Sequence, residues 1–525
     1  MRIYDTLAAT EKPFEPLGSP VTIYFCGLTP KNYPHIGHAK TFVMADVIRR
    51  YLRYLGYDVL YVQNFTDVDD KTIAKAQQEG TTFEAIAKKY TDAYFENMDA
   101  LNCLRADRYP SATAAVPGII RVIEGLIDKG YAYVSGHDVY YRVSRFAAYG
   151  RLSKREAGDN QVGAGLRARK PVAIGEGAAL TDDEDAIAAL AAAAGDDGTD
   201  GRKEDPRDFA LWKGAKPGEP SWESPWGPGR PGWHIECTTM VFEELGERID
   251  IHGGGQDLIF PHHENEIAQS EAYSGQVPFA NFWMHIAPLN ITTAEGKSEK
   301  MSHSLHNFTT VYSILERYEP GVLRLYLLLQ HYRTPVNYEP GVLDSVAESW
   351  ERLRAVYTNI NLLRGWPPYR DVEPAPPIPQ ELTRAGRRLN EAIPAALEGF
   401  RAGMDDDFGT PQAIAALMKL AREFNAFRDS LSTPQAVTPA AKGLVERAFA
   451  AVEEIMGVLG LPAPETGTGA DAETEARVEE MLAERRRRRE VRDYAGADAI
   501  RAELDAMGIV VEDHPQGTIW YVKRR

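Results

Sequence analysis

The chain has 525 residues, 44% hydrophobic and 26% charged. That is enough for several domains with their own cores, and no apolar run approaches the roughly 18 residues of a membrane span. The formal net charge of −17 excludes a surface that is basic all over, but not a local basic face for a nucleic acid.

Three cysteines (Cys26, Cys103 and Cys237) are too few for a disulfide framework and fit a reducing, cytoplasmic setting. The start, Met1-Arg2-Ile3-Tyr4-Asp5, lacks the pattern of a secretory signal. From the N-terminus, Val21-Thr22-Ile23-Tyr24-Phe25 alternates at period two and predicts a strand. After a Gly/Pro turn, residues 39–57 carry Phe42, Val43, Val47, Tyr51 and Leu55 at helical spacing, closed by Gly56. Val59-Leu60-Tyr61-Val62 predicts a second, fully buried strand. Strand, helix and strand in that order imply a parallel βαβ unit, which binds ligands at the carboxyl ends of its strands. Residues 173–205 are rich in Ala, Gly and Asp and read as a surface insertion with one short helix. A second βα-like passage has its strand at Arg248-Ile249-Asp250-Ile251 and its helix over 262–273. Beyond about residue 340 the periodicity predicts helices over 341–363, 381–400, 411–431 and 439–459. A linker at 462–474 detaches a C-terminal module.

Three features carry chemistry. His35-Ile36-Gly37-His38 lies between the first strand and the first helix, where free N–H groups and the helix dipole attract phosphate. Lys300-Met301-Ser302-His303-Ser304, preceded by Lys297, forms a polar, lysine-bearing loop able to close over a triphosphate. Gly253-Gly254-Gly255-Gln256-Asp257 follows the second-half strand; its glycines let a ligand lie against the backbone, and Asp257 can accept from ribose hydroxyls. Each alone is equally a surface turn.

Together, a HIGH tetrapeptide and a later KMSKS-like loop resemble the class I aminoacyl-tRNA synthetases. Gly232-Trp233-His234-Ile235-Glu236-Cys237, Phe260-Pro261-His262-His263-Glu264-Asn265-Glu266, Asn64-Phe65-Thr66-Asp67-Val68-Asp69-Asp70-Lys71 and Cys26-Gly27-Leu28-Thr29 resemble the cysteinyl-tRNA synthetase signatures. The resemblance spans 20–345 apart from the Ala/Gly/Asp insertion, and resumes at Asp405-Asp406-Asp407-Phe408 and in the C-terminal module. It implies an α/β fold: a Rossmann-like parallel-sheet catalytic domain with a connective insertion, then an α-helical bundle and a small C-terminal anticodon-binding module. The expected divisions are 1–100 and 233–310 for the catalytic halves, 101–232 for the insertion, 311–370 for a stem-contact region, 371–465 for the bundle and 470–525 for the anticodon module.

The resemblance further implies activation of L-cysteine with ATP and magnesium, and transfer to tRNA(Cys), by a monomer. His35, His38, Lys300 and His303 would be catalytic. Gly37, Gly254, Asp257, Lys300 and Ser302 would hold ATP. Cys26, Cys237, His262 and Glu266 suit one zinc, the last two spaced i, i+4 on one helix face. In the family these positions hold zinc, and the thiol of the amino acid binds it, so serine is rejected without editing. Gly27, Thr29, Thr66, Trp233 and His252 would line the cysteine pocket, and Cys103 is read as structural.

Two places depart from the family's pattern or ask for weighing. A second lysine is usual where this chain has His303, and a glycine where it has His306. Arg485 to Arg489 form an uninterrupted basic run, with Arg492, Tyr494 and Arg501 following, which suits RNA phosphates and unstacked bases but also a solvated helix face. Two rival readings are a cysteine ligase paralogue with an amino-sugar acceptor and a non-catalytic tRNA-binding paralogue. The helical extension counts against the first, and the intact HIGH and zinc motifs against the second.

Overall fold

The structure, a computed structural model, describes residues 1–154, 203–292, 298–300, 309–339, 341–377, 382–464, 470–514 and 517–522. These residues form two compact units, one of 1–312 with 332–338 and one of 313–331 with 339–525.

The first unit is built on a four-stranded parallel sheet. Its order is Ala280–Ile286, Ile249–Gly255, Val21–Leu28, Val59–Phe65. Ile23 pairs Ile251 and Val21 pairs Val59, all in parallel register. Val21–Leu28 is buried along most of its length on both faces, as a central parallel strand must be. The chain leaves this strand toward Val59–Phe65 through the helix Ile36–Tyr54, while Ile249–Gly255 flanks it on the other side. The crevice between Val21–Leu28 and Ile249–Gly255 is therefore the topological switch point, where such sheets bind ligands.

Three expectations are corrected. The strand read at 248–251 runs on through all three glycines to Gly255. The reason is packing: a Cβ at Gly253 would stand within 2.7 Å of the Phe25 ring on the adjacent strand, so glycine permits the close approach rather than a turn. The helix read at 262–273 is Glu264–Ser274, with His262 and His263 in the wider turn before it. The stretch 132–231, for which no strand is predicted above, contains an antiparallel sheet of Ala132–Ser135, Asp138–Tyr141, Phe209–Gly214 and Gly229–Pro231. Nearly all of the 173–205 insertion lies outside the described residues; Lys203, Glu204 and Asp205 are described.

The helix Glu264–Ser274 carries many polar residues yet is almost wholly buried, so each polar side chain needs a partner. Glu264 accepts N–H bonds from Gly150 (2.9 Å), Leu152 (3.4 Å) and Ser153 (2.7 Å). Gln269 donates to His234 O and Thr238 Oγ1. These bonds fix the helix, and with it Glu266, against the rest of the unit.

The second unit is helical, as expected, with Val342–Gly365, Arg384–Asp405, Thr410–Ser430 and Pro439–Leu459 as its long helices. Leu353, Ile360, Leu389, Leu417, Phe424, Leu444 and Ile455 fill its core. At its end Ala472–Glu490, Tyr494–Ala506 and the hairpin Ile509–His514/Gly517–Val522 enclose a small core of Val478, Leu482, Leu504, Ile509, Val511 and Trp520.

Candidate functional site

The carboxyl ends of the two central strands bring together side chains far apart in sequence. Cys26 comes from Val21–Leu28, Cys237 from the helix Trp233–Leu245, and His262 and Glu266 from the turn and helix beyond Ile249–Gly255. The two thiol sulfurs stand 3.8 Å apart. Glu266 Oε1 lies 3.6 Å from Cys26 Sγ and 3.0 Å from His262 Nε2. All four groups are buried, and their donor atoms lie within 4.8 Å of one another.

The electrostatics favour metal ligands. Cys26 donates to Cys237, and that bond brings the Cys237 thiol down to about 6, while burial pushes Cys26 up. Burial would raise Glu266, but the charges of His252 and His262 hold it well below the usual carboxylate range. Burial likewise opposes a charge on His262, yet the Glu266 carboxylate raises it to about 10. A thiolate and a carboxylate are thus ready as donors, with their protons kept on neighbouring groups.

Sequence reasoning missed the size of this polar cluster. His263 Nε2 is 3.3 Å from Cys26 Sγ, so Cys26, His252, His263 and Glu266 form a second set with metal-ligand spacing. His234 Nδ1 meets His262 Nδ1 at 2.9 Å, and His263 Nδ1 meets His285 Nε2 at 2.8 Å. Burial lowers His234, His263 and His285, the last to about 3. The sequence signals were the adjacent His262-His263 pair, His234 in the motif ending at Cys237, and His252 before the glycines; nothing in it marked His285.

Of the residues expected around the cysteine pocket, Gly27, Trp233 and His252 adjoin this cluster. Gly27 follows Cys26 and donates its N–H to Asn64 Oδ1 at 2.8 Å. Thr66 is buried and donates to Glu236 Oε2 at 3.1 Å. Trp233 is partly exposed and lies 4.5 Å from the His262 ring. His252 is fully buried, stacked on Trp283, and its Nε2 is 2.8 Å from Glu266 Oε2. It therefore belongs to the polar cluster itself. Thr29 is half-buried in the turn beyond the strand.

The HIGH histidines cap the helix Ile36–Tyr54. His35 Nδ1 accepts from the His38 N–H at 3.3 Å, and His38 Nδ1 accepts from the His35 N–H at 3.4 Å. The rings stack with centroids 3.6 Å apart. This reciprocal box fixes both imidazoles beside Gly37 at the positive end of the helix dipole.

Asp257 is exposed in the short 3-10 turn Gln256–Leu258 just past the glycine strand, where Gly254 is buried. Lys300 ends a short strand, Ser298–Lys300, that pairs antiparallel with Leu289–Thr292, opposite Asn290. Ser302, His303 and His306 lie outside the described residues, as does Lys297. Cys103 is half-buried and forms no disulfide. Among the described residues no helix is long and apolar enough to cross a membrane.

The basic run at 485–489 is corrected in part. Arg485 is buried and paired with Asp513 at 2.6 Å, so it holds the C-terminal hairpin to its helix. Arg489 also pairs with Asp513, and Arg487 and Arg488 pair with Glu484. Tyr494 remains 60% exposed and available for stacking.

Comparison with known proteins agrees with this geometry. Residues 13–348 match the class I (C) tRNA synthetase catalytic domain, 399–463 the DALR domain, and 471–520 the cysteinyl-tRNA ligase anticodon-binding domain. A cysteine–tRNA ligase of Gloeobacter violaceus is 45% identical over 99% of this chain and 98% of its own length. One from Geobacillus thermodenitrificans is 43% identical with the same coverage. Among solved structures, a Mycobacterium tuberculosis methionyl-tRNA synthetase in complex with methionyl-adenylate superposes with a TM-score of 0.59. It covers 86% of this chain and 92% of its own at 15% identity, a likeness of fold alone. By its catalytic domain, its C-terminal domains and its full-length relatives, the chain belongs to the cysteine–tRNA ligase family of class I synthetases.

Proposed function

We propose that the protein activates L-cysteine with ATP and transfers it to tRNA(Cys). The observation that carries the reading is the buried two-thiol, imidazole and carboxylate cluster at the switch point, where the family's amino acid would bind. The donor set fits zinc: two sulfurs, one nitrogen and one oxygen, close enough to share one ion. Cys26, Cys237, His262 and Glu266 would hold it, favoured over the set with His252 and His263 because two thiolates suit zinc better than one. Bound there, zinc favours a thiolate over a hydroxyl, which distinguishes cysteine from serine more sharply than an apolar pocket could.

The chain's own residues supply the rest. Gly27, Thr29, Thr66 and Trp233 enclose the amino acid beside the cluster. Its carboxylate attacks the α-phosphate of ATP in line, forming the mixed anhydride and releasing pyrophosphate, with magnesium on the phosphates. His35 and His38, held by their mutual cap, present imidazole N–H groups to the charge developing on the phosphates. Gly37, Gly254 and Asp257 border the nucleotide, joined by Lys300, Ser302 and His303 of the KMSKS-like loop. The terminal adenosine of tRNA then attacks the anhydride, while the helical bundle and the 470–525 module bind the tRNA and its anticodon. The catalytic halves at 1–100 and 233–310, the insertion at 101–232 and the stem-contact region at 311–370 complete this division of labour, and the enzyme acts as a cytoplasmic monomer.

Pyrophosphate exchange into ATP tests the first step. Exchange that requires cysteine and is not supported by serine is the expected result. Exchange independent of cysteine, or supported equally by serine, overturns the reading.

A further inference from the structure

Two lysines stand at the carboxyl edge of the parallel sheet with no ion-pair partner among the described residues. Lys31 lies just past the strand Val21–Leu28, in the turn leading to the His35 cap, where its N–H bonds to Thr29 O at 2.9 Å. Lys71 lies just past the neighbouring strand Val59–Phe65, in the first turn of the helix Asp70–Glu79. The strands are parallel and Leu28 pairs with Phe65. Both turns therefore open on the same edge of the sheet as Cys26, Gly27 and His35.

Of the nearby carboxylates, Asp67 and Asp70 are committed elsewhere, which leaves Asp69 to offset the charge of Lys31. Among the described residues none reaches ion-pair distance of Lys31 or Lys71. Asp70 is taken by Arg230 and by Lys213 at 3.1 Å. Asp67 accepts the Thr113 N–H at 3.0 Å. Lys71 also stands at the positive end of a helix dipole, and the Asp69 cap makes no side-chain bond to relieve it. Lys31 is half-buried. Burial and the adjacent Lys71 ammonium bring it down to about 8, with Asp69 acting the other way. An ordinary solvated lysine would turn away from a second cation. A pair kept together, short of counter-charge, is stabilised by an arriving anion.

We propose that Lys31, with Lys71 beside it, binds the phosphates of ATP during activation, supplying from the strand-to-helix turn a positive charge that His303 does not carry permanently from the loop. The proposal rests on the adenylate-forming reading above. As the cysteine carboxylate oxygen bonds to the α-phosphorus, the bond to the bridging oxygen breaks and pyrophosphate leaves with the electron pair. Lys31 Nζ donates to the non-bridging oxygens where that charge accumulates and transfers no proton. An imidazole at 303, unperturbed, is only partly charged at pH 7, so the fixed charge falls to the turn.

The test is pyrophosphate exchange by the full chain without tRNA, comparing wild type, Lys31→Gln, Lys31→Arg and the double variant Lys31→Gln/His303→Lys. Lys31→Gln should lower kcat/KM for ATP roughly 10²-fold and leave the KM for cysteine within about twofold. Lys31→Arg and the double variant should each recover most of the loss, which a merely structural role would not allow. The proposal is overturned if Lys31→Gln matches wild type in exchange. It is equally overturned if the KM values for ATP and cysteine rise together with no recovery in either rescue variant. Loss of tRNA charging with intact exchange would place the lysines on a tRNA phosphate instead, and also overturns it. A wild type with no cysteine-dependent exchange fails the adenylate reading itself, which keeps the two failures distinct.

Discussion

Replacing Gly27 by alanine strikes the point where backbone packing and the metal-ligand cluster meet. A Cβ at residue 27 would stand 1.6 Å from the Asn64 carbonyl oxygen. Carbon and carbonyl oxygen keep about 3.3 Å even in close sheet contacts, so the strand ends must part by roughly 1.7 Å. That separation breaks the 2.8 Å bond from Gly27 N–H to Asn64 Oδ1, worth about 1 kcal/mol. Overpacking between two strands with little room to relax adds about 1–3 kcal/mol. Because Cys26 is the adjacent residue, its sulfur moves by a distance comparable to the tolerance of a metal site, about 0.2 Å, or more. Denaturant unfolding should therefore show the first unit destabilised by about 2–4 kcal/mol, and metal analysis of the purified protein should show zinc well below one per chain. A Gly27→Ala protein with wild-type stability and full zinc would refute both the packing account and the link from this strand to the cluster.

Other outcomes follow from the same geometry. Cys237→Ser should retain the fold, since the two side chains are nearly isosteric, and lose most of the bound zinc, measured by metal analysis; full zinc would exclude Cys237 as a ligand. Loading apoprotein with zinc should release about two protons, those kept by Cys26 and His262. Calorimetry in buffers of different ionisation enthalpy would show it, and no buffer dependence would contradict the assigned protonation. Arg485→Ala should destabilise the C-terminal module by about 1.5–3 kcal/mol, because it removes the buried guanidinium that bonds both Asp513 oxygens and leaves that carboxylate to Arg489 alone. Arg486→Ala should change its stability by less than about 0.5 kcal/mol. Equal melting temperatures for the two variants would show that Arg485 is not structural. The Arg485 guanidinium holds Asp513 well below its ordinary 3.8. Its contribution is fully present above that value and is lost as pH falls below it, so the module should weaken on acidification from about pH 4 downward in wild type but not in Asp513→Asn.

Much of this site was legible because its chemistry needs particular residue types at particular places. Cys26, Cys237, His262 and Glu266 were assigned from motif and spacing, and the fold brings their donor atoms within 4.8 Å of one another. The long helices beyond residue 340 were readable because each buries one periodic stripe. What stayed hidden depends on contacts distant in sequence. Gly253 reads as a turn until Phe25 is seen packed against it. Arg485 reads as one of five solvated arginines until Asp513, 28 residues on, closes on it. The antiparallel sheet eluded periodicity because its strands run three to six residues between Gly/Pro turns. The histidines around Glu266 lie in four separate motifs, and only the folded sheet shows them as one cluster.

The central claim is that a thiol-selective metal cluster serves a tRNA-charging reaction. Its most direct test is charging of purified tRNA with labelled cysteine, with serine in parallel, before and after zinc is stripped and restored. Cysteine-only charging that vanishes with the metal and returns with it is the expected result. Charging that survives complete zinc removal, or that accepts serine alongside cysteine, would contradict it.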